Sequence, residues 1–144
     1  MSTQPAKADY HVAIHHDVKR VHKVESWLRK KPSPYLGATN WKHAVWWNHR
    51  RRRWNRIYTP WPAWWFTESQ CIHRREGAYN DATGNGYYGG FQFLPSTWAS
   101  VGGDHWGRAD YQTPHIQRLM AWRVWVRDGG SWREWGTAGI CGLS

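Results

Sequence analysis

The pair Asn85-Gly86 is the strongest local constraint on this chain. An Asn-Gly turn of type I′ takes positive φ at both central positions, so no helix runs through it. Lying between Thr83-Gly84 and Tyr87-Tyr88, and followed by Phe91-Gln92-Phe93, the pair predicts a small antiparallel β-hairpin. Gly89-Gly90 either lets backbone approach a ligand closely or allows a sharp bend.

The residues just before this turn read as helix. Thr67-Glu68-Ser69-Gln70 has the form of a capping box, with Thr67 as N-cap and Gly77 as the stop. Glu76 then falls in the last turn. A carboxylate there faces the negative end of the helix dipole, and partial burial in a cleft adds to the preference for the neutral form. Arg74 and Arg75 would oppose this if they point inward. After the hairpin, Pro95 opens a short helix through Ser96-Thr97-Trp98 that ends at Gly102-Gly103.

A lone acid beside an aromatic, backbone-rich groove suits the cutting of a sugar chain. The acid protonates the leaving oxygen while flat rings hold the sugars. Tyr87, Tyr88 and Trp98 gather in sequence around Gln92, the polar group expected to face the sugar. The competing reading puts these aromatics in the core of a small domain.

The run from Thr83 to Phe93, the following Ser96-Thr97-Trp98 and the two-cysteine frame resemble the resuscitation-promoting factors and related transglycosylase-like domains of actinobacteria. The resemblance covers roughly residues 61–144. It implies a lysozyme-like domain that cuts peptidoglycan glycan strands without a cofactor. Glu76 matches the catalytic position, and Gln92, Thr97 and Trp98 match positions lining the substrate groove. There are two departures. The family often shows Glu-Ser-Gly where this chain has Glu76-Gly77-Ala78, so a serine hydroxyl has no counterpart here. Cys71 stands five residues before Glu76 rather than next to it, as in the longer Cys-Ile-x-x-x-Glu variant of the wider group.

Cys71 and Cys141 lie near the two ends of this domain. A domain of about eighty residues has a marginal core and benefits from a staple. A bridge would contribute about 4 kcal/mol in the chain-entropy model and would imply an oxidising compartment. Two buried thiols are the alternative. Two cysteines so far apart lack the close pair of a zinc motif, so no metal is expected.

Charge divides the chain. Residues 1–66 hold thirteen Lys or Arg against three acids, so the whole formal charge of +10 lies there, and residues 67–144 hold seven of each. Pro60 and Pro62 bar a continuous helix, which sets the expected domains at 1–60, a basic Trp-rich helical arm, and 61–144. In the arm, Ile14, Val18, Val21, Val24 and Leu28 recur at helical spacing until Pro32-Ser33-Pro34. A second helix is expected from Asn40 as N-cap through Arg56, carrying Trp41, Trp46, Trp47 and Trp54 around Arg50-Arg51-Arg52-Arg53. Basic residues interleaved with tryptophan bind nucleic acid, anionic lipid or anionic wall, or form a solvated face whose tryptophans pack inward. Wall phosphates and carboxylates are the natural targets for a muralytic enzyme, and nucleic acid is not the expected partner. His11, His15 and His22 share much of one face, but no acid or cysteine completes a metal set. Thr113-Pro114 should start a last helix, buried and central, that ends at Gly129-Gly130.

No apolar h-region stands within residues 1–31, so no Sec signal peptide and no membrane span is expected. An extracellular or wall location then needs another export route, a phage-type lysis or virion setting, or a longer precursor. The expected fold is α+β: a mostly helical lysozyme-like domain with a small antiparallel hairpin, preceded by the basic arm. The expected activity breaks the MurNAc-β-1,4-GlcNAc bond with Glu76 as general acid and base. Asp81 and Asp104 are the candidates for a second carboxylate, though both read better as turn residues. The rival classes are a glycan-binding or virion structural protein, and a polyanion binder acting through the arm.

Overall fold

The computed structural model describes residues 7–34 and 40–144; residues 1–6 and 35–39 of the expected arm lie outside the described residues. The chain divides into two compact units, Met1–Pro60 and Trp61–Ser144.

The first unit is built on two helices, α1 (Lys7–Trp27) and α2 (Trp41–Tyr58). Helix α2 starts where Asn40 can cap it, its side chain accepting from the His43 N–H at 3.1 Å. Ile14, Val21, Val24 and Leu28 are buried, as their helical spacing requires, and Trp47 packs with Tyr10, Ile14 and Val21. Trp41 and Trp46 are instead 43% and 40% exposed. The turn after α1 is closed by a buried acid: Glu25 accepts from the Ser33 N–H at 2.9 Å and the Ser33 hydroxyl at 2.6 Å. Asp17 is also buried, and Arg51 donates to it at 2.7 Å.

The second unit contains α3 (Ala63–Glu76), α4 (Pro95–Ser100) and α5 (Pro114–Arg127), with short 3-10 helices at Gly103–His105, Ala109–Tyr111 and Gly136–Cys141. Thr113 caps α5 by accepting from the Ile116 N–H at 3.2 Å, Pro114 occupies its first turn, and Gly129 and Gly130 leave it with φ of 74° and 84°. Ile116, Leu119, Met120, Ala121 and Val124 are buried along it. Trp65 and Trp132 stack at 5.1 Å inside the core, with Trp122 edge-on to Trp65 at 5.0 Å. Burying this much aromatic surface is the main stabilising term for so small a unit.

Two local expectations are corrected. Helix α3 begins at Ala63, not at Thr67, and the capping box is not formed: the Thr67 hydroxyl donates back to the Ala63 carbonyl at 3.2 Å. Gln70 accepts from Arg118 instead of reaching back along its own helix. Burial of Trp65 draws the first turn into the helix and outweighs the local cap. Among the described residues there is no strand, so the hairpin reduces to one antiparallel bridge between Tyr88 and Phe93. Asn85 keeps a negative φ, and its carboxamide oxygen accepts from the Tyr87 N–H at 3.0 Å, an Asx turn that replaces the type I′ turn. The chain reverses four residues later, where the Gln92 N–H bonds the Gly89 carbonyl at 3.1 Å and Gln92 takes φ 47°.

Candidate active site

Glu76 is the last residue of α3 and is half-buried. The Thr137 hydroxyl donates to its Oε1 at 2.6 Å from the 3-10 helix Gly136–Cys141. The same two elements are joined by the disulfide Cys71–Cys141, with Cα atoms 6.0 Å apart. Arg74 and Arg75 are exposed, whereas His73 turns inward, stacking on Tyr79 at 3.8 Å and donating to the Gly90 carbonyl at 2.9 Å.

Gly77 makes the exit from α3 possible. It takes φ 155° and ψ −175°, and a Cβ there would lie 2.3 Å from Asp81 Oδ2. That carboxylate accepts from the Ala78 N–H at 3.0 Å and so closes the turn that follows Glu76. Asp81 therefore serves its turn. Asp104 sits in the 3-10 helix Gly103–His105. Gln92 approaches the residue that follows Glu76: its Nε2 lies 3.6 Å from where a Cβ on Gly77 would stand and donates to the Gly89 carbonyl at 2.9 Å, while its Oε1 accepts from Asn85 at 3.3 Å.

The expected substrate residues separate into two groups. Tyr87, Gln92 and Thr97 meet in a cleft of about 170 Å³, together with Phe93, Leu94, Glu134 and Trp135. Tyr88 and Trp98 line a second cavity of about 360 Å³. Trp98 is only 3% exposed; its Nε1 donates to the Gly107 carbonyl at 2.9 Å and its ring meets Phe93 at 5.0 Å. Gly89 and Gly90 are buried against protein: Cβ atoms there would lie 2.5 Å from Gln117 Oε1 and 2.6 Å from His73 Nδ1. Their close approach therefore serves packing within the chain.

The transglycosylase-like domain family model matches residues 67–138, half of the chain, and spans both partners of the Glu76–Thr137 hydrogen bond. The chain belongs to the transglycosylase-like family. Within that domain it is similar to resuscitation-promoting factor Rpf1 of Corynebacterium glutamicum, 39% identical over 72 residues, which is 49% of this chain and 35% of that protein. It is also similar to resuscitation-promoting factor Rpf of Micrococcus luteus, 33% identical over 67 residues, 42% of this chain and 29% of that protein. The chain thus spans about a third of the length of the curated relatives it matches. No solved structure matches it.

Thr137 and Glu134 went unread in the sequence. Thr137 lies 61 positions from Glu76, and no local pattern joins them. Glu134 sits on the cleft wall with its carboxylate paired to Arg127 at 3.3 Å. An acid four residues beyond Gly130 carries no motif that would have marked it.

Proposed function

We propose that residues 61–144 form a lysozyme-like glycosidase that cleaves the MurNAc-β-1,4-GlcNAc bond of peptidoglycan, with Glu76 as general acid and base. The observation that carries this reading is the position of Glu76: half-buried at a helix end and held through one oxygen by Thr137, with Gln92, which lines the cleft, next to the residue that follows it. A neutral Glu76 held through Oε1 presents Oε2 to the glycosidic oxygen. Protonation there lets the C1–oxygen bond break and leaves positive charge on the muramic ring.

The carboxylate then takes the proton of the muramic 6-hydroxyl as that oxygen closes onto C1, forming an anhydro ring and restoring the acid. Asp81 has one oxygen committed to the Ala78 N–H and Glu134 is paired to Arg127, so the proposed route is the one that needs no protein nucleophile. Tyr87, Gln92 and Thr97 are the proposed glycan contacts. Digestion of purified peptidoglycan with mass analysis of the fragments tests the route: anhydro ends support it, and reducing ends alone indicate hydrolysis through bound water.

Residues 1–60 act in this reading as an attachment arm, holding the enzyme to anionic wall polymers through the exposed arginines of α2, Arg52, Arg53 and Arg56. The disulfide fits an oxidising location outside the cytoplasm. Among the described residues, no helix is long and apolar enough to cross a membrane.

A further inference from the structure

The second cavity takes up two of the residues expected to hold glycan but is poorly equipped to hold a sugar. It has apolar walls of Phe93, Pro95, Trp98, Ala99 and Ala109. The one polar group that Trp98 has to offer, its indole N–H, is already donated to Gly107. A pyranose needs hydroxyl partners on several sides, and a wall of this kind would leave them unpaired. Charge enters only through Asp104 and Arg108, of opposite sign.

Arg108 is held ready. It donates to Asp110 through Nε at 2.6 Å and Nη2 at 2.9 Å, and its guanidinium lies over the rings of Tyr88 at 4.7 Å and Tyr111 at 4.4 Å. The Arg108 hydrogen bonds hold the Asp110 carboxyl below the usual carboxylate range. These bonds and the Tyr111 hydroxyl use Nε and Nη2, which leaves Nη1 as the nitrogen for a ligand. Asp104 is exposed and would repel a phosphate.

A ligand that suits this cavity has small alkyl side chains, an ammonium for Asp104 and a carboxylate for Arg108. That is the chemistry of a short peptide. We propose that this cavity receives the peptide stem of the substrate polymer, so that the enzyme reads stem and glycan together. The proposal rests on the reading of residues 61–144 as a peptidoglycan glycosidase. The cleft and the cavity share Phe93 and divide neighbouring residues between them: Tyr87 against Tyr88, Leu94 against Pro95, Thr97 against Trp98. An extended stem of about five residues reaches roughly 17 Å.

The test uses the full chain and three probes: glycan strands bearing stems, the same strands stripped of stems by an amidase, and a free synthetic tetrapeptide stem. Ala99→Phe fills the cavity from an exposed position of α4, and Asp104→Asn removes the ammonium partner without added bulk. Each variant should raise KM for stem-bearing strands about tenfold and leave stripped strands unchanged, and the wild type should bind the free stem. Equal effects on both strand types, or no effect on either, would overturn the proposal. If the wild type cut neither strand type, the glycosidase reading would fall, and titration of the free stem would still decide the cavity. Stem binding lost in both variants supports it, and no stem binding by the wild type overturns it.

Discussion

The Thr137 hydroxyl lies 2.6 Å from Oε1 of Glu76 and ties the C-terminal 3-10 helix to the last turn of α3. Cys141 closes that 3-10 helix, and its disulfide reaches Cys71 on the same α3. Five residues of helix separate Cys71 from Glu76, a rise of about 7.5 Å. Two links between the same elements, one covalent, therefore fix the carboxyl. Under the proposed function, this arrangement pre-sets the geometry of a group that has to meet the glycosidic oxygen.

Thr137→Val keeps the shape of the side chain but removes the donor. In the proposed mechanism kcat on peptidoglycan falls about tenfold or more, because a Glu76 no longer held through Oε1 meets the glycosidic oxygen less often in the reacting geometry. Thr137→Ser retains the hydroxyl and should recover most of the rate. Equal activity in the Val and Ser variants would show that the bond does not position Glu76.

The disulfide spans a separation of 70 residues, and closing that loop stabilises by about 4 kcal/mol in the chain-entropy model. Mass analysis without reductant should give a protein two hydrogens lighter than the reduced form. Reduction should lower the melting temperature by many degrees. An unchanged melting temperature after full reduction would argue against a stabilising role.

Much of this fold was legible because its signals are local. Thr113-Pro114 and Gly129-Gly130 bracket α5, Asn40 caps α2, and Glu76 falls in the last turn of α3. The failures share a cause. The capping box at Thr67 lost to the burial of Trp65, and Asn85-Gly86 gave an Asx turn while the reversal moved to Gly89–Gln92. The Asx turn is itself local, but the burial of Trp65 against Trp122 and Trp132 and the seating of the reversal on Gln117, which accepts from the Gly90 N–H, depend on partners that a window of a few residues does not contain. The same holds for Thr137, and for the division of Tyr87 from Tyr88, whose side chains line different cavities.

Two glycines should respond differently to alanine. At Gly90 a Cβ would meet His73 Nδ1 and Tyr79 Cδ1 at 2.6 Å, so Gly90→Ala should destabilise by about 1–3 kcal/mol through overpacking. At Gly84 nothing lies within 4 Å, so Gly84→Ala carries only the strain of φ 86°, about 1 kcal/mol. Urea unfolding of both variants checks the order, and a larger loss at Gly84 would contradict it.

Removing residues 1–60 takes away the entire net charge of +10, since residues 67–144 carry equal numbers of acidic and basic side chains. Binding to whole sacculi should weaken, and the gap from the intact chain should close as salt rises, because screening weakens the intact protein's contacts. Cleavage of short soluble glycan fragments should change little. Equal loss on sacculi and fragments, with circular dichroism showing a folded protein, would contradict the attachment role.

In the proposed reaction Glu76 moves the proton. Glu76→Gln preserves shape and can still accept from Thr137, but it has no proton of the required acidity to give. Release of muropeptides from purified peptidoglycan, followed by mass analysis, is the direct measurement. A fall of about a hundredfold or more is expected, with an unchanged melting temperature and retained binding to sacculi. Wild-type release by the folded Glu76→Gln protein would contradict this role.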